Sequence, residues 1–406
     1  MSRADERDSL GRVDGRDTPG RADGRDLPGR VGGRETPGRV DGSGSLGGAG
    51  GRGLLGGAGG RGSLGIDFGR RVVVVRPVGR LPVRPAIVCL VLGLVALAIG
   101  VLALSTGELR IPPADVLRAL AGEGSRAYRL VVVEWRLPRV LLALLLGVAL
   151  GLSGAIFQAL TRNPLGSPDV IGFNTGAYTG VLVVTVYVGT GYYLTAAGAL
   201  VGGLVTAAAV YLFAFKRGVQ GFRLIIVGIA VSAILGSINQ WFIIKVNLQA
   251  ALAAAIWGQG SLNGLGWAQV APVAIGVGVL CVALIGYGPR LALLEMGEDA
   301  AAALGVRVEP TRLAYLIIGV ALTAVATAAA GPISFVALAA PQLAQRLART
   351  PGIALVPSAA MGAFLLMLSD WLAQRAFAPT QLPVGVVTVS VGGIYFGWLL
   401  IRQGRA

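Results

Sequence analysis

Ten long apolar runs are the feature that most restricts how this chain can fold. Most approach the 20 or so residues that a helix needs to cross the hydrocarbon core of a bilayer. Only 14% of the residues are charged, too few to cover the surface of an ordinary soluble domain. The sequence therefore predicts an all-α membrane protein with ten transmembrane helices, at residues 87–104, 140–160, 171–188, 194–215, 224–244, 270–287, 313–330, 333–347, 357–372 and 383–401.

The basic residues between these runs predict an orientation. An even number of spans leaves both termini on one side, and loops rich in arginine and lysine stay in the cytoplasm. We therefore expect a multi-pass protein of the cytoplasmic membrane with both termini inside. The loop between the first two spans is an exception, because it is expected outside yet carries several arginines. The residues that support the orientation are Arg162, Lys216, Arg217, Arg223, Arg290, Arg307, Arg312, Arg346, Arg349, Arg402 and Arg405.

The first 85 residues have a different composition from the rest. A nine-residue Gly- and Arg-rich repeat runs through most of them, starting at Gly11. Such a segment cannot bury enough apolar surface to offset its chain entropy. We expect a disordered tail over 1–85, either a tether or a dispensable extension, and a permease domain over 86–406.

Composition also argues against several functions. The net charge of +15 suggests nucleic-acid binding, but the basic residues lie in the tail and between apolar runs, where a membrane protein keeps them. The chain has no histidine, and Cys89 and Cys281 both lie inside apolar runs. We expect no nucleic-acid partner, no metal site, no cofactor and no catalytic residue.

The source of energy is the next question. Glu134, Asp169 and Asp370 are expected at span ends, whereas carriers driven by an ion gradient keep ionisable groups near the membrane centre. The chain also has no P-loop motif for ATP. These observations favour a transporter subunit powered by partner proteins. The alternatives are a secondary transporter driven by an ion gradient, and a channel or structural membrane protein.

Six short motifs follow one another in a recognisable order. Over residues 85–402 together they resemble the FecCD-type permeases of ABC importers, which carry iron–siderophore complexes and cobalamin. The resemblance implies ten helices per subunit, a second permease subunit, two separate P-loop ATPase subunits and an extracytoplasmic siderophore-binding protein. It implies a ferric siderophore as substrate, of the catecholate type such as enterobactin. The motifs are RLPR at 136–139, NPLGSPD at 163–169, WGQGSLNG at 257–264, LEMGED at 294–299, GPISF at 331–335 and QLPVG at 381–385.

The resemblance also implies roles for particular residues. Arg136, Arg139 and Arg375 correspond to outward-facing arginines that meet glutamates of the binding protein, and charge complementarity of this kind orients docking. The alternative is contact with lipid headgroups. The loop near residue 300 resembles a coupling helix that enters a cleft of the ATPase, with Gly297 and Gly305 bracketing a short helix. Its predicted coupling residues are Glu295, Gly297, Glu298, Asp299, Leu304 and Gly305.

The translocation pathway is predicted from breaks in the apolar runs. Proline frees a backbone carbonyl, and such breaks often line cavities, although packing kinks and helix–helix hydrogen bonds are alternative roles. Gln342 stands where relatives commonly have histidine, so a role for that histidine cannot be transferred here. The predicted pathway residues are Gln158, Asn163, Pro164, Trp257, Gly258, Ser261, Gly331 and Pro332.

Overall fold

The computed structural model describes residues 72–75, 79–169, 171–189, 191–215, 221–378 and 380–403. All of them belong to one compact unit, Asp67–Ala406. Helices dominate this part of the chain. The elements are β1 (Val72–Val75), β2 (Gly79–Pro82), α1 (Val83–Ser105), α2 (Pro113–Leu120), α3 (Arg126–Arg129), a π-helix (Leu130–Arg136), α4 (Leu137–Thr161), α5 (Phe173–Tyr187), α6 (Tyr192–Ala214), α7 (Gly221–Lys245), α8 (Leu248–Trp257), α9 (Trp267–Glu295), α10 (Glu298–Ala303), α11 (Val308–Ala330), α12 (Val336–Ala348), α13 (Leu355–Arg375) and α14 (Val384–Gln403).

Each of the ten predicted runs falls mainly on one of these helices. Among the described residues, seven helices are long and apolar enough to cross a membrane, so the membrane class is supported but the count of ten is not. Helix α5 has 15 residues and α12 has 13, and the apolar part of α14 is Val384–Tyr395. The seven are Val83–Ser105, Arg126–Thr161, Tyr192–Ala214, Phe222–Lys245, Trp267–Gly288, Val308–Ala330 and Leu355–Arg375.

Helix α4 lies at the centre of the packing. It contacts α9, α11, α12 and α13, and most of its span is buried inside the bundle. Three glycines on α4 allow this close approach. A Cβ at Gly147 or Gly151 would collide with the α13 backbone, and one at Gly154 would collide with the carbonyl of Ala337 in α12. Small residues of this kind let helix backbones touch where lipid supplies no hydrophobic drive.

The segment before α4 was predicted to be a loop, but much of it is helical. Helix α2 begins with proline in its first turn, and the Ser125 hydroxyl caps α3 by accepting a hydrogen bond from the backbone N–H of Tyr128 (3.2 Å). Because Pro138 lacks a backbone N–H, the chain reaches α4 through a π-helical turn. The predicted second span, 140–160, therefore belongs to a continuous helical stretch that starts at Arg126.

Most of the predicted tail, residues 1–71, lies outside the described residues. In its described part the chain forms β1 and β2, which pair antiparallel with Val72 opposite Pro82. Helix α1 begins at Val83, so the helical domain starts slightly before the predicted boundary at residue 86.

Candidate functional site

The predicted coupling loop forms a short helix between two glycines. Helix α10 occupies Glu298–Ala303, with Gly297 at φ 124° before it and Gly305 at φ 82° after it. Both glycines hold backbone conformations that side chains disfavour. Ala301 is buried, whereas Asp299 and Leu304 are exposed. The predicted bracketing of a small helix by these glycines is confirmed, and the helix presents an open surface.

Glu298 fixes α10 to its neighbours. Its Oε1 accepts a hydrogen bond from Nη1 of Arg312 in α11 (2.8 Å) and lies 3.9 Å from Nη2 of Arg162 at the end of α4. The Arg312 side chain is only 11% exposed, so this ion pair is partly shielded from water. Glu298 therefore joins α10 to two helices of the core.

Glu295 makes a second link beside α10. Its Oε1 accepts a hydrogen bond from the backbone N–H of Ile353 (3.1 Å), in the loop before α13. Partial burial raises the pKa of the Glu295 carboxyl, and the Ile353 hydrogen bond opposes that rise. The end of α9 is thus tied to the α12–α13 loop.

A cavity of about 390 Å³ opens beside this link, at the end of the bundle that carries α10 (the α10 end). Three of the predicted pathway residues line it, namely Gln158, Asn163 and Pro164. Glu295, predicted as a coupling residue, lines the same cavity. The structure therefore brings predicted pathway residues and a predicted coupling residue together at one place, which the sequence did not indicate.

Gln342 belongs to the same cavity. Its Nε2 donates to Oε1 of Gln158 (2.8 Å), and Nε2 of Gln158 donates to the carbonyl of Leu338 (2.9 Å). Gln342 is therefore a hydrogen-bonding neighbour of a predicted pathway residue. Amides of this kind offer polar edges without a net charge.

The other predicted pathway residues form a second group. Gly331 and Pro332, between α11 and α12, pack against the turn after α8. The backbone N–H of Ser261 donates to the carbonyl of Ala330 (2.7 Å), and a Cβ at Gly260 would collide with the carbonyl of Pro332. The start of α14 joins the same group, because the backbone N–H of Gly385 donates to the carbonyl of Gly260 (3.1 Å). The group therefore lies where three helix ends meet: the end of α8, the break between α11 and α12, and the start of α14.

Trp257 and Gly258 complete this second group. The Trp257 indole stacks on Tyr178 of α5 with ring centroids 6.3 Å apart, and Gly258 lies against the same ring. Aromatic pairs in this geometry add to the stability of the contact. The turn after α8 is therefore held by side-chain stacking as well as by backbone hydrogen bonds.

Arg139 lies at the other end of α4 (the Arg136 end) and is engaged within the protein. Its guanidinium contacts both carboxylate oxygens of Asp370 (2.8–3.1 Å) and Oε1 of Gln381 (3.2 Å). The Asp370 side chain is 0% exposed and that of Arg139 is 14% exposed. Gln374 donates a further hydrogen bond to Asp370 (2.7 Å). The charge of Arg139 is therefore neutralised inside the bundle, unlike that of a free docking arginine.

Arg136 and Arg375 differ from Arg139. Arg136 donates to the carbonyls of Leu104 (2.6 Å) and Leu109 (2.7 Å), which keeps its charge uncompensated. Arg375 lies near enough to Arg136 to repel it, and its Nε is buried without a hydrogen-bond partner among the described residues. Neither has an acidic partner within 4.0 Å in the described part of the chain. Two unpaired cations therefore lie close together at this end.

Asp169 is a site that the sequence argument misplaced. It was expected at a span end, but it lies beside the backbone N–H of Phe335 at the start of α12. Two residues further along, Ala337 packs against Gly154 within α4. Its Oδ1 accepts a hydrogen bond from Asn174 (2.5 Å). The backbone between α4 and α5 turns back into the bundle, which hydropathy alone could not reveal.

Comparison with known proteins supports the resemblance noted from the motifs. The model of the FecCD transport family matches residues 94–402. The chain is 51% identical to the ferric enterobactin transport system permease protein FepG of Escherichia coli over 322 residues, which cover 79% of this chain and 98% of that protein. It is 34% identical to the iron(3+)-hydroxamate import system permease protein FhuG of Bacillus subtilis over 328 residues, again 79% and 98% of the two chains.

A solved structure agrees with these relatives. It shows an inward-facing conformation of a metal-chelate type ABC transporter, with a TM-score of 0.69 and 27% sequence identity. The alignment covers 78% of this chain and 99% of that one. Family model, relatives and fold all match the helical region, and on these grounds the chain belongs to the FecCD transport family.

Proposed function

We propose that this chain is the membrane-spanning permease subunit of a binding-protein-dependent ABC importer for a ferric siderophore, with a catecholate such as ferric enterobactin as substrate. The observation that carries the proposal is the 51% identity to a ferric enterobactin permease over 98% of that protein's length. A ferric siderophore is large and polar, so it cannot dissolve in the bilayer and needs a conduit. The cavity at the α10 end, lined by several amides together with Arg162 and Glu295, suits a polar exit.

The energy is proposed to come from two separate P-loop ATPase subunits. The chain has no P-loop motif of its own. Helix α10 offers a small exposed surface, Glu298 connects it to α4 and α11, and Glu295 connects the neighbouring end of α9 to the loop before α13. Movement of α10 in an ATPase cleft would therefore reach the wall of the 390 Å³ cavity directly. Gly297, Asp299, Leu304 and Gly305 complete the proposed contact.

The proposed orientation places ten membrane passes with the α10 end and both termini in the cytoplasm. The described basic residues support it, because Arg162, Arg307 and Arg349 lie near the α10 end, as the positive-inside rule requires. The shorter helices α5 and α12 then cover only part of the bilayer thickness, and the non-helical segments that precede them are proposed to complete those two passes beside the pathway.

The Arg136 end is proposed to receive the extracytoplasmic siderophore-binding protein. Arg136 and Arg375 carry the electrostatic attraction, since both lack an acidic partner among the described residues. Arg139 contributes mainly by fixing α4 to α13. A second permease subunit completes the pathway, and the group around Trp257, Ser261 and Pro332 would form its gate near this end.

The test is iron uptake in a strain that lacks this chain. Wild-type chain on a plasmid should restore uptake of radiolabelled iron from ferric enterobactin, and not from a ferric hydroxamate. The matched control is the same strain carrying a chain of equal expression with Glu298→Arg, which should insert but fail to transport. Restored uptake of the hydroxamate alone would reject the catecholate assignment. Unchanged iron uptake without the chain would reject an iron-importing role.

A secondary transporter driven by an ion gradient is the rival function. The observation that favours it is Asp169, a carboxylate inside the bundle. Two perturbations of the same uptake assay distinguish the two functions. An uncoupler should leave uptake intact for as long as cellular ATP is maintained, whereas replacing the P-loop lysine of the partner ATPase should abolish it. The reverse result would favour the gradient-driven transporter.

A further inference from the structure

A large groove at the α10 end has no part in the function proposed above. It lies between the first turns of α1 and the end of α12 and encloses about 810 Å³. Ile87 and Val88 supply apolar surface on one side, and Leu347 and Pro351 supply it on the other. The groove is therefore roomy enough for a sizeable molecule and mainly apolar in its walls.

Two arginines line the same groove. Arg84 donates from Nε to the carbonyl of Leu347 (3.1 Å), and its terminal guanidinium nitrogens make no hydrogen bond within the described residues. Arg349 follows directly after α12, and its side chain makes no hydrogen bond in the described part of the chain. Neither arginine has an acidic partner within 4.0 Å there. The groove thus holds two positive charges that nothing in the described chain neutralises.

The apolar surface continues out of the groove along α1. Ile87, Leu90, Val91 and Leu94 are all exposed on this helix. They extend over roughly 10 Å of the helix axis, at a rise of 1.5 Å per residue. The whole surface therefore consists of a cationic groove with an apolar strip rising from it, in the direction of the membrane interior.

This combination selects one kind of occupant. A small soluble anion would use the arginines but leave the apolar strip uncovered. An uncharged lipid would cover the strip but leave the charges unpaired. We infer that the groove binds the headgroup of an anionic phospholipid, whose phosphate pairs with Arg84 and Arg349 and whose acyl chains lie along α1. The inference rests on the proposed membrane orientation, but it does not depend on the identity of the transported substrate.

The bound lipid would contact a loop that takes part in coupling. Pro351 lines both this groove and the 390 Å³ cavity, and Ile353 two residues later is hydrogen-bonded to Glu295. A headgroup held by Arg349 would therefore brace the α12–α13 loop from the lipid side. The lipid is placed to support the same loop that Glu295 holds from the protein side.

The experiment uses the full chain, purified in detergent and mixed with equal amounts of phosphatidylglycerol and phosphatidylcholine. Native mass spectrometry counts the lipids that remain bound. The wild type should retain phosphatidylglycerol in preference. The double variant Arg84→Gln/Arg349→Gln should bind it about 25-fold more weakly, since each arginine near a membrane surface contributes about fivefold, or roughly 1 kcal/mol.

Three controls define the result. Arg84→Lys/Arg349→Lys keeps the charges and should keep most of the preference. Arg290→Gln/Arg307→Gln removes two charges at the same end outside the groove and should bind as the wild type does. If the double glutamine variant fails to fold, Arg349→Gln alone, which loses no hydrogen bond of the described structure, should show the fivefold loss.

Several outcomes would overturn the inference. Equal retention of the two lipids by the wild type would make the groove an apolar surface only. An equal loss in the Arg290→Gln/Arg307→Gln variant would assign the effect to overall charge. Loss of the preference when the partner subunits are assembled would assign the groove to a subunit contact. Because none of these measurements involves iron transport, failure here leaves the proposed function untouched.

Discussion

The ion pair between Arg139 and Asp370 makes a sharp prediction, because the sequence argument and the structure give Arg139 different roles. If Arg139 is mainly a docking residue, Arg139→Ala should weaken binding-protein docking and leave stability unchanged. If it is mainly structural, the substitution should destabilise the chain. The structure favours the second role, since Arg139 contacts both oxygens of a carboxylate that is 0% exposed.

The expected loss of stability in Arg139→Ala follows from the carboxylate that the substitution leaves without its partner. Without Arg139, Asp370 keeps, among the described residues, one side-chain hydrogen bond, from Gln374 (2.7 Å), and carries an uncompensated charge in the bundle. Breaking a buried ion pair by removing one partner costs about 3–5 kcal/mol of stability. Asp370→Ala should cost about as much, because it strands the largely buried guanidinium. The double variant has neither charge to strand, so its loss should fall short of the sum by at least about 2 kcal/mol.

The assay is a double-mutant cycle on the free energy of unfolding in detergent micelles, with the wild type, both single variants and the double variant. Docking of the binding protein is measured on the same four samples, with Arg136→Ala as the matched comparison. A coupling free energy below about 0.5 kcal/mol, together with a docking loss equal to that of Arg136→Ala, would refute the structural role.

Three further predictions concern the other carboxylates. Glu298→Gln loses its ion pair with Arg312 and should lower iron transported per ATP hydrolysed, while ATPase subunits still co-purify; an unchanged ratio in reconstituted vesicles would contradict this. Asp169→Ala leaves the Asn174 amide without its acceptor and should cost about 1–3 kcal/mol of unfolding free energy, whereas Asp169→Asn should cost less. Burial raises the folded-state pKa of Glu295, so the folded state loses stability as pH rises through that pKa. Glu295→Gln lacks this loss, and its stability relative to the wild type should therefore increase with pH in thermal melts; a constant difference between pH 4 and 8 would argue against it.

Hydropathy and glycine chemistry were sufficient for much of the fold. The apolar runs predicted the helices because lipid leaves few alternatives to a helix with satisfied backbone hydrogen bonds. Gly297 and Gly305 predicted the limits of α10, because both hold backbone conformations that suit glycine. These features depend on local sequence alone.

The remaining features depend on contacts between distant parts of the chain. Arg139 and Asp370 are 231 residues apart, so no local pattern could pair them. Hydropathy alone did not show that the chain after α4 turns back into the bundle and places Asp169 inside it. The lengths of α5 and α12 were also missed, because the preceding loops supply apolar residues that resemble helix. A signal was available for α12, since GPISF at 331–335 places a glycine and a proline at the start of the predicted run.

Three carboxylates, Asp370, Glu298 and Glu295, share one role that bears on how this subunit is powered. Asp370 joins α13 to α4 through Arg139, Glu298 joins α10 to α11, and Glu295 joins α9 to the loop before α13. Each is committed to a junction between elements, whereas a gradient-driven carrier needs carboxylates free to bind the driving ion. Two of these junctions surround α10, and the third lies at the opposite end of α4. Since α4 is a single helix through the centre of the packing, the junctions at α10 and at Asp370 attach to its two ends, which fits the proposed drive by external ATPases through α10.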